Sequence, residues 1–165
     1  YHIVNYLKKQ NLTVVPVPGA CAAITALSAS GLATDRFSFE GFLPSKQGAR
    51  QKVLSELVNE PRTMVFYDAP RRAIDTVSDI VAVLGSDRNI VIARELTKTF
   101  ETIHKDNAGD FLTWLAQDPN QLKGAMVLII EGFKVFFNSL IVANSIKTKP
   151  IELITQPIFF QSKPK

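Results

Sequence analysis

Residues 63–93 read TMVFYDAPRRAIDTVSDIVAVLGSDRNIVIA, and their pattern indicates the fold class. The stretch begins with a strand-like run, Thr63–Tyr67, and ends with another, Asn89–Ala93. Between them, Pro70 suits a first helical turn, and apolar residues recur at the spacing of one helix face until Gly85. A strand, a helix and a strand in this order predict an α/β layer architecture.

The same alternation continues on both sides of this stretch. On the N-terminal side the patterns predict three helices and two strands. The helices are Tyr1–Gln10, the segment that follows the Pro18-Gly19 turn and carries Leu27, and Gln47–Asn59. The strands are Thr13–Val17 and Arg36–Phe42. On the C-terminal side they predict a charged segment, a short helix and a buried strand: Arg94–Lys105, Gly109–Gln117 and Gly124–Ile130. Trp114 falls on the apolar stripe of that short helix, which predicts core packing.

Composition excludes several classes of protein. With 46% hydrophobic and 21% charged residues in 165, the chain can form a core of its own. The single Cys21 excludes an internal disulfide, and His2 and His104 lie too far apart in sequence for a metal-ligand motif. Apolar runs such as Met126–Ile130 are too short to cross a membrane. We therefore expect a cytoplasmic protein without metal or membrane association, and the net charge of +4 permits a nucleic-acid partner.

Six segments together carry a resemblance to a known family. They are Val15–Gly19, Ile24–Gly31, Asp35–Phe37, Phe39–Pro44, Phe66–Arg72 and Ala93–Glu101. In content and order they resemble the 16S ribosomal RNA (cytidine 2′-O) methyltransferases of the tetrapyrrole (corrin/porphyrin) methylase superfamily. The resemblance covers residues 1–132.

The resemblance implies a two-domain α/β fold of the tetrapyrrole-methylase type. Residues 1–17 would be the end of the N-terminal cofactor domain, residues 18–132 the C-terminal mixed-sheet α/β domain, and residues 133–165 a tail without family resemblance. The implied activity is methylation of the ribose 2′-hydroxyl of a cytidine in 16S ribosomal RNA of the small subunit, with S-adenosyl-L-methionine as cofactor. The family's homodimer is also implied, as is an N-terminal half with a Gly-rich loop that has no counterpart before Tyr1.

Three pairs of residues match positions around the family's cofactor cleft. Cys21 and Ala22 follow the Pro18-Gly19 turn at a helix start, where free backbone N–H groups can receive polar ligand atoms. The other two pairs are Tyr67 with Asp68 and Ala125 with Met126. A plain strand-to-helix turn, with small residues chosen for packing, is the alternative for the first pair.

This chain departs from the family's pattern at several of these positions. Asp68 stands where the family has Glu, Arg71 where it has His, and Ala125 where it has Glu. The change at Arg71 replaces an imidazole able to exchange protons by a fixed cation that can bind phosphate but cannot act as a base. The change at Ala125 removes a carboxylate.

The candidate catalytic residues are Glu95 and Lys98, in the densest charged segment beside a strand end. A 2′-hydroxyl acceptor needs a nearby group that removes or orients its proton, and we predict Glu95 first and Lys98 second. A solvated or ion-paired surface cluster is the alternative.

The candidate RNA-binding residues are basic: Lys46, Arg50, Arg71 and Arg72. Lys52 is a further basic candidate, and Phe42 or Tyr67 is available for stacking on a base. An ordinary basic surface explains the same pattern.

Two other functions stay open. The chain can be a catalytically inactive truncated fragment, or an RNA-binding or dimerising module. A small tetrapyrrole acceptor is disfavoured because Phe39–Pro44 and Arg94–Lys98 resemble the ribosomal branch.

Overall fold

The computed structural model describes residues 1–134, and Tyr1–Phe133 form one compact unit. The strands are β1 Phe37–Phe42, β2 Thr63–Asp68, β3 Asn89–Arg94, β4 Thr102–Asn107 and β5 Met126–Ile130. The helices are α1 His2–Lys9, α2 Ala22–Ala29, α3 Gln47–Glu56, α4 Ala73–Leu84 and α5 Ala108–Gln117, with short 3₁₀ turns at Pro70–Arg72 and Pro119–Leu122.

The strands of this region form one mixed sheet in the order β1-β2-β5-β3-β4. β1 and β2 are parallel, whereas β5 runs antiparallel to both of its neighbours, β2 and β3. β1, β2 and β3 therefore end at the same edge of the sheet, and β5 begins there. The mixed-sheet α/β fold expected from the sequence is confirmed.

The sheet has a hydrophobic core on each face. Helices α3, α4 and α5 cover one face, where Phe66, Ile92 and Leu128 are buried. Helix α2 packs on the other face, with Leu27 against Val65 and Val127. The central strands β2 and β5 are apolar along almost their whole length because both of their faces are covered.

Strand β4 lies inside the segment expected to be only charged, and that expectation was incomplete. Its sequence, TIHKDN, is polar because β4 is an edge strand that pairs only with β3. His104 faces α5 and stacks on Trp114, with the ring centroids 4.1 Å apart. On the other face, Lys105 donates a hydrogen bond to the Gly31 carbonyl at the end of α2. Trp114 packs against the core as predicted.

The strand predicted at Thr13–Val17 is wrong. These residues pair with no strand among residues 1–134, and Val15 and Val17 are 74% and 86% exposed. A β-branched run favours extended backbone, but it forms a strand only where a neighbouring backbone supplies hydrogen bonds. The expected domain boundary after residue 17 stays a prediction, and the expected tail at 133–165 falls almost wholly outside the described residues.

Candidate functional site

An open pocket of about 230 Å³ lies where β1, β2 and β3 end and β5 begins. This is the edge at which open α/β sheets commonly build ligand sites. Most of the predicted cofactor-binding and catalytic residues line it: Ala22, Tyr67, Asp68, Glu95, Lys98, Ala125 and Met126. Cys21, by contrast, is the exposed N-cap residue of α2 and is not part of the pocket wall.

The pocket wall also includes residues that the sequence analysis did not assign to the cofactor. They are Phe42, Ala93, Leu96 and Val127. Ala93 and Val127 belong to predicted strands. Their positions near the strand ends at this edge of the sheet were the signal in the sequence that they line a site there. Leu96 follows β3 in a segment without readable periodicity, so nothing in the sequence pointed to it.

Glu95 connects the loop after β3 to the residues before β5. Its backbone N–H donates to the Ala125 carbonyl at 3.0 Å, and its Oε1 accepts from the Ala125 N–H at 2.7 Å. Glu95 adopts φ 51°, and Thr97 adopts φ 65°. Left-handed backbone in residues other than glycine costs free energy and is often found at functional sites.

The electrostatic surroundings of Glu95 favour its charged form. Lys98 Nζ donates to Glu95 Oε1 at 2.9 Å, and this bond, together with the one from Ala125, lowers the pKa of Glu95. A general base works best with a pKa near the working pH, so Glu95 suits orienting a donor better than removing a proton.

Gly124 is packed against the Glu95 side chain. A Cβ built on Gly124 would lie 2.2 Å from Glu95 Oε1, and the residue has φ 91°. Both the close approach and the left-handed backbone require glycine here. The chain between the 3₁₀ turn at Pro119–Leu122 and β5 therefore packs closely around the Glu95 carboxylate.

Asp68 holds the turn after β2 together. Its side chain is fully buried, and its oxygens accept from Arg72, from Thr76 Oγ1 at 2.6 Å and from the Ala69 N–H at 2.7 Å. The Asp68 carboxylate is thus hydrogen-bonded within the protein and is not available to a ligand. A ligand in the pocket can contact only the main chain of Asp68. Arg72 also donates to the Leu43 carbonyl, so its guanidinium ties β1 to β2 and is not free for RNA.

The expectation that Arg50 binds RNA is wrong in this fold. Arg50 and Asp79 form an ion pair with side chains only 4% and 3% exposed, at 2.6 Å. Burial alone would raise the pKa of Asp79, but hydrogen bonds from Gln51, Gln47 and Arg50 outweigh it and lower that pKa. The pair joins α3 to α4, and the attraction between the two charges offsets part of the cost of burying each of them.

Three basic candidates are exposed: Lys46, Lys52 and Arg71. Lys46 is the N-cap residue of α3, and Arg71 lies in the turn after β2. Tyr67 contacts two exposed aromatic rings, with its centroid 5.1 Å from that of Phe39 and 5.5 Å from that of Phe42. Phe42 and Tyr67 also line the pocket, so this ring cluster borders it.

Residues 1–134 contain neither a metal-binding cluster nor a membrane-spanning helix. In this region no group of three or more His, Cys, Asp or Glu side chains is placed to hold a metal ion. No helix of the same region is both long and apolar enough to span a membrane.

The fold is that of the tetrapyrrole methylases. The methyltransferase CobJ superposes with a TM-score of 0.54 at 18% identity, over 81% of this chain and 59% of that chain. The cobalt precorrin-4 methyltransferase CbiF superposes with a TM-score of 0.53 at 16% identity, over 78% of this chain and 56% of that chain. The model of the family Tetrapyrrole (Corrin/Porphyrin) Methylases matches residues 1–112, and the chain belongs to this family.

Relatives of higher identity share one name, Ribosomal RNA small subunit methyltransferase I. The protein of Escherichia coli O157:H7 is 54% identical over 134 residues, which are 81% of this chain and 47% of the relative. The protein of Pasteurella multocida is 54% identical over 132 residues, 80% of this chain and 47% of the relative. That of Buchnera aphidicola subsp. Schizaphis graminum is 44% identical over 158 residues, 93% of this chain and 55% of the relative. The chain therefore spans about half the length of these relatives.

Proposed function

We propose that this chain acts in S-adenosyl-L-methionine-dependent methylation of the ribose 2′-hydroxyl of a cytidine in 16S ribosomal RNA, as the C-terminal part of such an enzyme. The observation that carries the proposal is the pocket at the ends of β1, β2 and β3. Residues matched to the family's cofactor positions meet there with Glu95 and Lys98. The name shared by the relatives at 44–54% identity supports ribosomal RNA as the substrate.

The pocket suits part of a sulfonium cofactor. Three residues of its wall are alanines, whose small side chains let a ligand approach the backbone closely: Ala22, Ala93 and Ala125. Tyr67 offers an aromatic ring and Glu95 a carboxylate, and both attract a cation. The volume of about 230 Å³ is below the roughly 300–1,000 Å³ usual for a ligand of drug size. The chain thus supplies one wall of the cleft.

S-adenosyl-L-methionine, when bound, supplies an already activated methyl group, so the protein's task is alignment and exclusion of water. Lys98, whose side chain is 57% exposed, can donate a hydrogen bond to an acceptor hydroxyl at the pocket mouth. Glu95 fixes Lys98 through their ion pair and holds the Ala125 turn in place. We assign Lys98 to orienting the acceptor and Glu95 to positioning Lys98, and the proton of the ribose hydroxyl leaves to solvent at the exposed mouth of the pocket.

RNA would approach across the basic and aromatic side of the sheet edge. Lys46 and Arg71 are placed to contact phosphates, while Phe42 and Tyr67 offer faces on which a base can stack. A location in the cytoplasm, where ribosomal subunits are found, accords with this substrate. The homodimer implied by the resemblance stays a prediction, which sedimentation equilibrium of the purified chain would test.

The other wall of the cleft would come from an N-terminal half like that of the relatives. Residues 1–17 offer apolar surface for such a partner, because Ile3 and Tyr6 of α1 and Val17 are all exposed. We therefore assign residues 1–17 to the cofactor domain and residues 18–132 to the C-terminal methylase domain.

The experiment is calorimetric titration of the purified chain with S-adenosyl-L-methionine, alone and after mixing with the N-terminal half of a relative. Methyl transfer to small ribosomal subunits is then measured on the same samples, and the modified nucleotide is located by mass spectrometry. We expect binding and ribose methylation in the mixture, and weak or no binding by the chain alone.

A second candidate function is that of an inactive fragment or an RNA-binding module. The small volume of the pocket and the missing carboxylate at Ala125 favour it. RNA binding without cofactor binding in the mixture would establish the module, and the absence of both would establish the fragment. Either result would overturn the enzymatic proposal.

A further inference from the structure

The segment between β3 and β4, residues 95–101, is a loop with several internal hydrogen bonds. The Lys98 N–H donates to the Glu95 carbonyl at 3.0 Å, and the Glu101 N–H donates to the Lys98 carbonyl at 3.2 Å. Lys98 therefore lies at the junction of two consecutive turns. Its side chain lines the pocket, where Nζ donates to Glu95 Oε1 at 2.9 Å. The direction of the Lys98 side chain depends on how these two turns are held.

Thr97, which immediately precedes Lys98, has left-handed backbone with φ 65°. This conformation is costly for a residue with a branched Cβ, and it persists only where surrounding contacts hold it. Glu101 supplies such a contact, since its Oε2 accepts a hydrogen bond from the Thr97 N–H at 2.6 Å. The Glu101 carboxylate therefore acts on the residue that sets the direction of Lys98.

Arg94 holds the chain on both sides of Glu101. Its guanidinium donates to the Phe100 carbonyl and to Thr102 Oγ1, both at 3.2 Å. A third bond, to the Lys123 carbonyl at 3.3 Å, joins the same guanidinium to the segment before β5. Arg94 is 6% exposed, so these bonds are largely shielded from water. The main chain beside Glu101 is thus fixed, and the carboxylate reaches Thr97 from a defined position.

The Glu101 side chain belongs to an exposed residue, where a carboxylate can be hydrated without a protein partner. Its bond to Thr97 is charge-assisted, and bonds of this type are stronger than those between neutral groups. The bond connects a surface carboxylate to a strained turn and involves no buried side chain. We therefore expect its removal to change the loop and to leave the core of the sheet intact.

We infer that Glu101 is a positioning residue for Lys98. Its carboxylate holds the left-handed turn at Thr97, and this turn directs the Lys98 ammonium to Glu95 at the pocket. Glu101 itself is not part of the pocket wall, so it acts through Lys98. The inference rests on the proposed function only in giving Lys98 a role in orienting the acceptor.

The pKa of Glu95 reports the position of Lys98. The hydrogen bond from Lys98 is the largest cause that lowers this pKa, followed by the bond from the Ala125 N–H, and the charge of Arg94 adds to them. If Glu101→Ala only removes a negative charge, the pKa of Glu95 stays low or falls further. If Glu101→Ala releases Lys98, the pKa of Glu95 rises toward the ordinary glutamate value. The two explanations therefore predict changes of opposite sign.

The measurement is a ¹³C NMR titration of the Glu95 carboxyl in the 165-residue chain, without cofactor or RNA. We expect a raised pKa in Glu101→Ala and a low pKa in Glu101→Gln, because the glutamine carbonyl can still accept from Thr97. Hydrogen exchange at the Thr97 amide should be fast in Glu101→Ala and slow in Glu101→Gln. Other charged side chains that line the same cavities as Glu95 are the same in both variants: Asp68, Asp118 and Lys123.

Glu56→Ala is the control for the loss of an exposed glutamate. Glu56 is the last residue of α3 and does not line the pocket. Its substitution should change neither the pKa of Glu95 nor the exchange rate of the Thr97 amide.

The same variants are then assayed for methyl transfer to small ribosomal subunits, in the mixture with the N-terminal half of a relative. Misplacing an aligning group by about 1 Å can cost a hundredfold in rate, so Glu101→Ala should lower kcat by roughly ten- to a hundredfold. The KM for S-adenosyl-L-methionine should not change, because Glu101 is not part of the pocket wall. Glu101→Gln should retain most of the kcat.

A Glu95 pKa that stays low or falls in Glu101→Ala would overturn the inference, as would a kcat of Glu101→Ala equal to that of the unchanged chain. A mixture in which the unchanged chain methylates no RNA counts against the proposed function instead. The titration of Glu95 in the chain alone then still decides whether Glu101 positions Lys98.

Discussion

Glu95 and Ala125 are joined by two reciprocal hydrogen bonds, one between their backbones and one from the Ala125 amide to the Glu95 carboxylate. The pair connects the segment that follows β3 to the segment that precedes β5. Glu95 and Ala125 both line the pocket at the ends of β1, β2 and β3, so the Glu95 side chain helps to set the shape of the pocket wall. A strained φ at Glu95 accompanies this arrangement.

Glu95→Ala should release the Ala125 amide, whereas Glu95→Gln keeps a carbonyl oxygen that can accept from it. We expect fast hydrogen exchange at the Ala125 amide in Glu95→Ala and retained protection in Glu95→Gln. Because the pKa of Glu95 is lowered, the Ala125 amide shift should titrate below the ordinary glutamate range. A midpoint at or above that range would show that the carboxylate is not engaged.

Gly124→Ala should destabilise the chain because the new Cβ would overlap Glu95 Oε1 and the backbone is left-handed. The expected loss in unfolding free energy is about 1–3 kcal/mol. Gly48→Ala is a matched control, since it lies in α3 with open space around a new Cβ, and helix propensity predicts a gain of up to about 1 kcal/mol. Urea unfolding of both variants checks the pair, and a similar effect of the two substitutions would refute the packing argument.

Asp79→Asn should leave the buried Arg50 guanidinium without its carboxylate. Breaking such a pair from one side costs about 3–5 kcal/mol. The control is Asp75→Asn, at an exposed site in the first turn of the same helix. This substitution should lower the free energy of unfolding by less than about 1 kcal/mol. Because the folded-state pKa of Asp79 is lowered, its contribution is present above the ordinary aspartate pKa and is lost as the pH falls through the folded value. Denaturation curves at several acidic pH values should show this loss only when Asp79 is present.

His104 should make the stability fall at mildly acidic pH. Burial against Trp114 and Phe111 lowers its pKa from 6.5, so the folded state binds the proton less readily than the unfolded chain. This stabilisation is complete above pH 6.5 and declines as the pH falls below it. His104→Phe keeps an aromatic ring without titration. Its unfolding free energy should change less between pH 7.5 and pH 5 than that of the unchanged chain, and equal changes would contradict the assignment.

Arg71→Ala should weaken binding of ribosomal RNA fragments and lower the salt slope by about one, as loss of one phosphate contact implies. Arg62→Ala is the control, because Arg62 is exposed but already paired with Glu60, whose pKa this pair lowers to about 2. Filter binding at several salt concentrations measures both slopes. A larger effect from Arg62→Ala would place the RNA elsewhere on the surface.

The pattern of residues was enough to predict most of the elements. Helix α4 is periodic and bounded by Pro70 and Gly85, and its flanking strands β2 and β3 are continuous apolar runs, so local signals and burial agree. Strand β4 was not predicted, because an edge strand needs few apolar residues. Thr13–Val17 was predicted wrongly because its composition favours extended backbone but no described strand pairs with it.

The basic candidates also show the difference between what the sequence predicts and what packing determines. Arg50, Arg71 and Arg72 look alike in the sequence, yet Arg50 and Arg72 neutralise Asp79 and Asp68 inside the fold. Only Arg71 of these three is exposed. The partner of an arginine is a property of packing between distant segments, which the sequence of one segment does not contain.

Residue types and local spacing were enough to predict the α/β alternation, the family resemblance and the charged segment around Glu95. Only the assembled fold shows that Asp68 and Asp79 are paired inside the protein, that Glu95 binds the Ala125 turn, and that Arg94 is buried. Those outcomes depend on strand order and on contacts between residues some 30 positions apart, such as Glu95 and Ala125. Hydrogen bonds and burial act through space, so they are fixed only when the sheet has assembled.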